Sequence, residues 1–196
     1  MDYWNHNTAY YPWIKKETSE CRSMLDVGCG DGTLIDFLDD GTKLLTGIDV
    51  DDFCIDRANN KKKSDNVAFL CKSFEDLDCD RKYDAITFVA SLHHMEMKST
   101  VEKAKSLLND GGKLLIVGLA APSGFHDYII EALRVIPCFI ISKIKRMKTS
   151  ESRNIPVSYA FPDMNEVRRV LGELLPGHTL RYGLFYRYLL TWEKNL

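Results

Sequence analysis

The sequence lacks several features that would point to a function directly. No two of its six cysteines form a CxxC pair, and Cys21, Cys29, Cys54, Cys71, Cys79 and Cys138 match no zinc spacing. No metal site is expected, and the thiols read as free groups in a reducing, intracellular compartment. There is no basic excess: the formal net charge is −2, which gives a nucleic-acid partner no support. No run of about 18 uninterrupted apolar residues exists, so no membrane-spanning helix is expected. The opening Met1-Asp2-Tyr3-Trp4 offers neither the basic start nor the apolar segment of a secretory signal. Internal repeats and low-complexity segments are also missing. What remains is a cytoplasmic globular chain with no nucleic acid and no stable membrane insertion among its expected partners.

Its 196 residues suit one domain, and 45% hydrophobic against 28% charged residues is the balance of a globular protein with a real core. Apolar runs at 23–27, 44–50, 67–70, 83–90 and 113–120 read as strands. Helical patterns at 9–20, 33–39, 51–62 and 98–109 alternate with them, and Asn109-Asp110-Gly111-Gly112 reads as a helix stop. Alternating strands and helices predict βαβ units around a parallel sheet covered on both faces. After Pro122 the pattern changes. Residues 124–147 are helical and apolar, with Pro137 expected to split them into two pieces. A polar stretch at 148–156 follows, then a helix at 163–175 with Asp163 as its cap, then strand candidates at 178–184 and 186–193 that can pair as an antiparallel hairpin.

The most informative segment is LDVGCGDGTL, residues 25–34. A buried strand runs into Gly28-Cys29-Gly30-Asp31-Gly32 and then into a helix. Glycines let a ligand approach the main chain with no Cβ in the way, and the helix start offers free N–H groups. Asp26 lies in the strand just before the loop. Asp49 ends the next strand, about 20 residues on, where a carboxylate can accept both hydroxyls of a ribose. Position 33 is Thr, where a dinucleotide fingerprint wants Gly or Ala.

LDVGCGDG followed by GIDVD at 47–51 resembles the first two motifs of the class I S-adenosylmethionine (SAM)-dependent methyltransferases, and the order of elements extends the likeness over nearly the whole chain. The resemblance implies a Rossmann-like, doubly wound α/β fold: a seven-stranded, mostly parallel sheet, a C-terminal antiparallel hairpin and a helical insertion after the fifth strand. It implies SAM as cofactor. Gly28 and Gly30 would lie against its methionine part, Asp26 would orient its amino group, Asp49 would take the ribose hydroxyls and Val50 would pack on the adenine. Where the family places an adenine-contacting Asp and a small residue, this sequence has Ser73-Phe74, a departure that replaces a charged grip by a hydroxyl or backbone contact. Ala90 and Ser91 would present backbone carbonyls to the methionine amino group.

FVASLHHM, residues 88–95, supplies the titratable groups nearest that position. His94 is the candidate general base, since an imidazole can remove a proton from a hydroxyl or amine near neutral pH; packing or capping at the strand end is the structural alternative for both His93 and His94. No Asp/Asn-Pro-Pro-aromatic sequence stands here, which argues against planar amino groups of DNA bases as acceptors. The aromatic start YWNHNTAYYPWI, residues 3–14, makes residues 1–20 a candidate cap helix, with His6, Asn7, Tyr10 and Tyr11 as cofactor or lid contacts, or else as packing. The insertion 122–160 joins an apolar helix to the basic cluster Lys143, Lys145, Arg146 and Lys148. It reads as an acceptor lid, as a buried or homodimer contact, or as a membrane-surface helix. The expected activity is methyl transfer from SAM to an oxygen or nitrogen of a small, partly apolar molecule. A non-catalytic SAM-binding protein and a nicotinamide oxidoreductase are the alternatives, the second opposed by Thr33 and by the absence of a Tyr-x-x-x-Lys relay.

Overall fold

A computed structural model describes residues 5–145 and 161–195; the polar stretch 148–156 and the far part of the insertion lie outside these. Seven strands form one sheet: β1 (Ser23–Val27), β2 (Leu44–Asp49), β3 (Val67–Cys71), β4 (Tyr83–Val89), β5 (Leu108–Leu119), β6 (Thr179–Tyr182) and β7 (Arg187–Glu193). Their order is β3-β2-β1-β4-β5-β7-β6. The first five run parallel, and β7 pairs antiparallel with both β5 and β6. Strand order reverses between β1 and β4, and open α/β sheets bind ligands at the carboxyl ends beside such a switch.

The sheet is buried on both sides because successive strand residues alternate between two apolar layers. Leu25, Ile86, Phe88, Leu114 and Ile116 face one layer, with α4 (Met97–Leu107) and α6 (Met164–Leu174). Met24, Leu45, Ala85, Leu115 and Val117 face the other, with Ile14 of α1 (Tyr11–Glu17) and Leu34, Ile35 and Leu38 of α2 (Thr33–Leu38). The helix starts follow from capping. Asp51 accepts from Phe53 N and Cys54 N to open α3 (Asp52–Lys61), Glu96 does the same for α4, and Asp163 caps α6 as its sequence position predicts.

Three details differ from the expectations. The first helix is shorter than 9–20: a 3-10 turn over Thr8–Tyr10 leads into α1, which ends at Glu17. The Asn109–Gly112 stop ends α4 but then enters the start of β5, where a register shift opposite Tyr83 and Ala85 absorbs the extra residues. Pro137 does not split the apolar segment, which forms one helix, α5 (Phe125–Lys145). Proline removes one hydrogen bond to the carbonyl four residues earlier. Here that carbonyl belongs to Leu133, whose residue is 72% exposed, so water can serve it.

The antiparallel addition of β7 depends on Gly118. A Cβ at this position would fall on the Tyr188 phenol across the β5–β7 pair, and Tyr188 is only 1% exposed. Gly118→Ala should therefore cost about 1–3 kcal/mol by overpacking, read as a lower denaturation midpoint. An unchanged midpoint would show that the ring has room to move.

Candidate active site

The loop after β1 is stapled to the tip of β2. Gly28 N and Cys29 N both donate to Ile48 O, at 2.9 and 3.0 Å. Gly30 N donates to Asp49 Oδ2 at 2.8 Å, while Asp49 Oδ1 accepts from Asp51 N at 3.0 Å. Asp31 is held from the side by Lys61 at 2.6 Å and Arg57 at 3.5 Å. Gly28, Gly30 and Gly32 all have positive φ, which is why glycine recurs here. At Gly28 there is a second reason: a Cβ would collide with the Ser91 Cβ. Ser91 Oγ in turn donates to Val27 O at 2.5 Å, tying the ends of β1 and β4 together, and Ala90 sits in the left-handed region at φ 56°.

These ends surround an open cleft. Val27, Gly28, Ile48, Asp49, Val50, Lys72, Phe74, Ala90, Ser91, His94 and Met95 line it. Seven of the residues expected from the sequence thus meet here: Gly28, Asp49, Val50, Phe74, Ala90, Ser91 and His94. Val50 is 64% exposed, whereas Phe74 is buried edge-on against Phe88.

Four expected residues stand elsewhere. Gly30 is on the loop, its amide spent on Asp49. Asp26 lies below the cleft floor, buried, where Oδ1 accepts from Thr87 Oγ1 at 2.7 Å. Ser73 donates its hydroxyl to Asp76 and accepts that residue's amide, closing a local turn away from the cleft wall. Tyr11 is buried with its hydroxyl 2.9 Å from Thr33 Oγ1, so it fastens the N-terminal segment to the start of α2. His6, Asn7 and Tyr10 lean on the β6–β7 turn instead: His6 stacks on Phe185 at 4.1 Å, Tyr10 donates to Leu184 O, and Asn7 accepts from Arg187. Lys72, Met95 and Thr87 were missed. Lys72 is an unremarkable lysine in sequence and binds Asp78 at 3.0 Å; no local signal marks any of the three.

The two histidines differ in setting. His94 is exposed on the cleft wall, while His93 packs behind it, with ring centroids 4.0 Å apart and Phe161 on its other side. Burial, then the charges of His94 and Arg187, push the His93 pKa down to about 4, so its ring is neutral. Its Nδ1 has no hydrogen-bond partner among the described residues.

Asp26 is pushed the other way. Burial, helped by the Asp49 charge and opposed by the Thr87 hydrogen bond, raises its pKa to about 7 from 3.8. Between about pH 4 and 7 the folded chain therefore holds a proton that the unfolded chain has lost, so this group's contribution to stability declines as pH rises through that window. Asp26→Asn should flatten this slope in denaturation midpoints measured across the window; a slope identical to the parent's would mean that Asp26 ionises normally.

Residues 24–112 match the family model of a methyltransferase domain, spanning β1 to the start of β5. An uncharacterised methyltransferase of Mycobacterium tuberculosis (strain H37Rv) is 27% identical over 196 residues, covering 97% of this chain and 96% of that protein. A ubiquinone biosynthesis O-methyltransferase of Coxiella burnetii is 28% identical over 162 residues, 65% of this chain and 69% of that one. Among solved structures, the N-methyltransferase NodS of Bradyrhizobium japonicum in complex with S-adenosylhomocysteine superposes with a TM-score of 0.65 at 16% identity, over 95% of this chain and 86% of that one. The glycine loop, the acid at the tip of β2 and the seven-strand order thus accompany a methyltransferase domain matched over residues 24–112, a sequence likeness to methyltransferases and a fold shared with a methyltransferase solved with S-adenosylhomocysteine.

Proposed function

We propose that the enzyme moves the methyl group of SAM to an oxygen or nitrogen of a small, partly apolar molecule, and that the cleft over β1, β2 and β4 seats the cofactor. The observation that carries this reading is the convergence on one cleft of a Cβ-intolerant glycine, a strand-tip carboxylate and an exposed apolar residue. SAM suits that donor set. Gly28 lets the main chain meet the amino-acid end, and the buried Asp26 carboxylate lies beneath it for an ammonium. Asp49, already fixed by two backbone amides, keeps lone pairs for ribose hydroxyls, and Val50 offers its bare surface to the adenine. With the Ser73 hydroxyl turned to Asp76, the adenine edge is left to backbone groups near Phe74.

Bound SAM supplies a methyl group already activated on a sulfonium, so the protein's task is to align the acceptor and exclude water. Phe74, Met95, Val27 and Ile48 provide the dry wall. His94 is placed to take a proton from a hydroxyl or amine as it is methylated. The single-domain reading over 1–196 goes with this, residues 1–20 capping the site and 122–160 closing over the acceptor. No helix among the described residues is long and apolar enough to cross a membrane, and the reading puts the enzyme in the cytoplasm with a diffusing acceptor.

Calorimetry should show binding of SAM and none of NADH, and Gly28→Ala should weaken SAM at least about tenfold, since its methyl meets Ser91. Formation of S-adenosylhomocysteine only when an acceptor pool is added separates an enzyme from a passive SAM binder. Loss of SAM binding in the parent chain would end the proposal. For the base, His94→Ala should lower turnover by about 10²–10⁴ while SAM affinity stays within about twofold. Unchanged turnover would reduce His94 to a wall residue.

A further inference from the structure

Arg187 is a half-buried charge with no carboxylate partner among the described residues. It opens β7 opposite Leu119, at the carboxyl end of β5, because β7 runs antiparallel. Its Nε and Nη2 donate to Asn7 Oδ1 at 3.0 and 2.6 Å, and its Nη1 donates to Phe185 O at 2.6 Å. All of these acceptors are neutral. No carboxylate forms a salt bridge with it among the described residues, although a guanidinium carries five N–H donors. Burial pulls its pKa down to about 10, which still leaves it fully charged at neutral pH. Taking a guanidinium partly out of water without a carboxylate has a cost, so an anion that arrives with a ligand gains by pairing with it.

The location suits a ligand. The proposed cofactor cleft occupies the β1–β2–β4 half of the sheet's carboxyl edge, and the β5–β7 half is what remains for an acceptor. Arg187 is linked to the cleft wall through the histidines. Its charge acts on His93, whose ring lies tilted against His94 at 4.0 Å between centroids, and His94 lines the cleft. Two strand spacings separate β4 from β7, roughly 10 Å, the span of one ring or a short chain between a nucleophile and a second group. Beside Arg187 is a small second hollow, with room for little more than one water-sized group, walled by Pro122, Met164, Tyr182 and Tyr186. Asp127 also faces it, but that charge is already matched. Although burial works against ionisation there, hydrogen bonds from Tyr182, Ser123 and Arg168 hold its carboxyl well below the usual range, and Arg168 bridges it at 2.9 Å.

We propose that Arg187 is the specificity residue for a carboxylate on the methyl acceptor, held in the hollow between the β6–β7 turn and α6. This rests on the methyltransferase reading and narrows its substrate class from a partly apolar molecule to a partly apolar carboxylic acid. A carboxylate fits better than a phosphate for two reasons. A planar carboxylate presents two oxygens to a guanidinium edge, and the small hollow leaves less room for a tetrahedral phosphate. Asn7, which accepts from the guanidinium at two nitrogens, is the positioning residue and explains why the N-terminal segment docks on this turn.

The test uses the full chain loaded with S-adenosylhomocysteine and three probes sharing one body: 3-hydroxybenzoate, 3-hydroxybenzamide and 3-hydroxyphenyl phosphate. Binding is measured by calorimetry or protein NMR up to about 10 mM. The parent should bind the carboxylate at least about tenfold more tightly than the amide, and Arg187→Met should erase that preference while S-adenosylhomocysteine affinity is kept. Arg187→Lys keeps the charge but not the fork; it should retain part of the preference and serves if the methionine variant does not fold. Equal binding of carboxylate and amide by the parent, no binding of the carboxylate, tighter binding of the phosphate, or an undiminished preference in both variants would each overturn the proposal. Failure to bind S-adenosylhomocysteine at all would instead strike the underlying methyltransferase reading, so the two failures are distinguishable.

Discussion

The molecule depends on the joint between the glycine loop and the tip of β2. Ile48 O takes the amides of Gly28 and Cys29, and Asp49 takes those of Gly30 and Asp51. Four backbone donors that would otherwise need water are thereby satisfied by two adjacent residues. The same joint sets the direction of α2, whose buried face closes one side of the sheet, and of α3, which starts from Asp51 as its cap. Because the loop cannot shift, Gly28 stays against Ser91, and the ends of β1 and β4 stay at contact distance. The cleft is thus rigid on the side where the cofactor would lie.

Two acids close together in this joint behave differently because their partners differ. Asp49 is fixed by two main-chain N–H groups, one on each carboxylate oxygen. Asp26 has one hydroxyl, from Thr87, and is otherwise enclosed, so burial dominates and its proton is held to about pH 7. An ammonium brought next to it would reverse that balance.

What could be read in the sequence follows from what is local in the chain. The glycine loop, Asp49 at the next strand's end, the Asp163 cap and the alternation of strands with helices are all set by neighbours within about 25 residues, and all lie where the pattern places them. The misplaced features depend on distant partners or on solvent. Thr87 meets Asp26 across 61 positions, and Asn7 meets Arg187 across 180, so neither pair has a sequence signature. Ser73 carries the right chemistry for an adenine contact, but Asp76, three residues on, takes its hydroxyl. Pro137 breaks helices on average, yet here the carbonyl it orphans lies on an exposed stretch and the helix continues.

The two halves of the sheet's carboxyl edge differ in strand direction. Parallel strands β1, β2 and β4 end together and offer loops and helix starts, groups suited to a polar cofactor common to many reactions. The antiparallel β7 enters from the opposite direction, so its first residue, not its last, arrives at the same edge. A side chain at the start of β7 can therefore face the acceptor side while its backbone is fixed by β5, and the residues before it form a turn free of the cofactor's demands. Phe185 and Tyr186 hold that turn with positive φ, a strained geometry that His6, Asn7 and Tyr10 support from the N-terminal segment. The chain thus brings its two ends together at the place where the acceptor would be chosen, and changes in either end can alter specificity without disturbing the glycine joint.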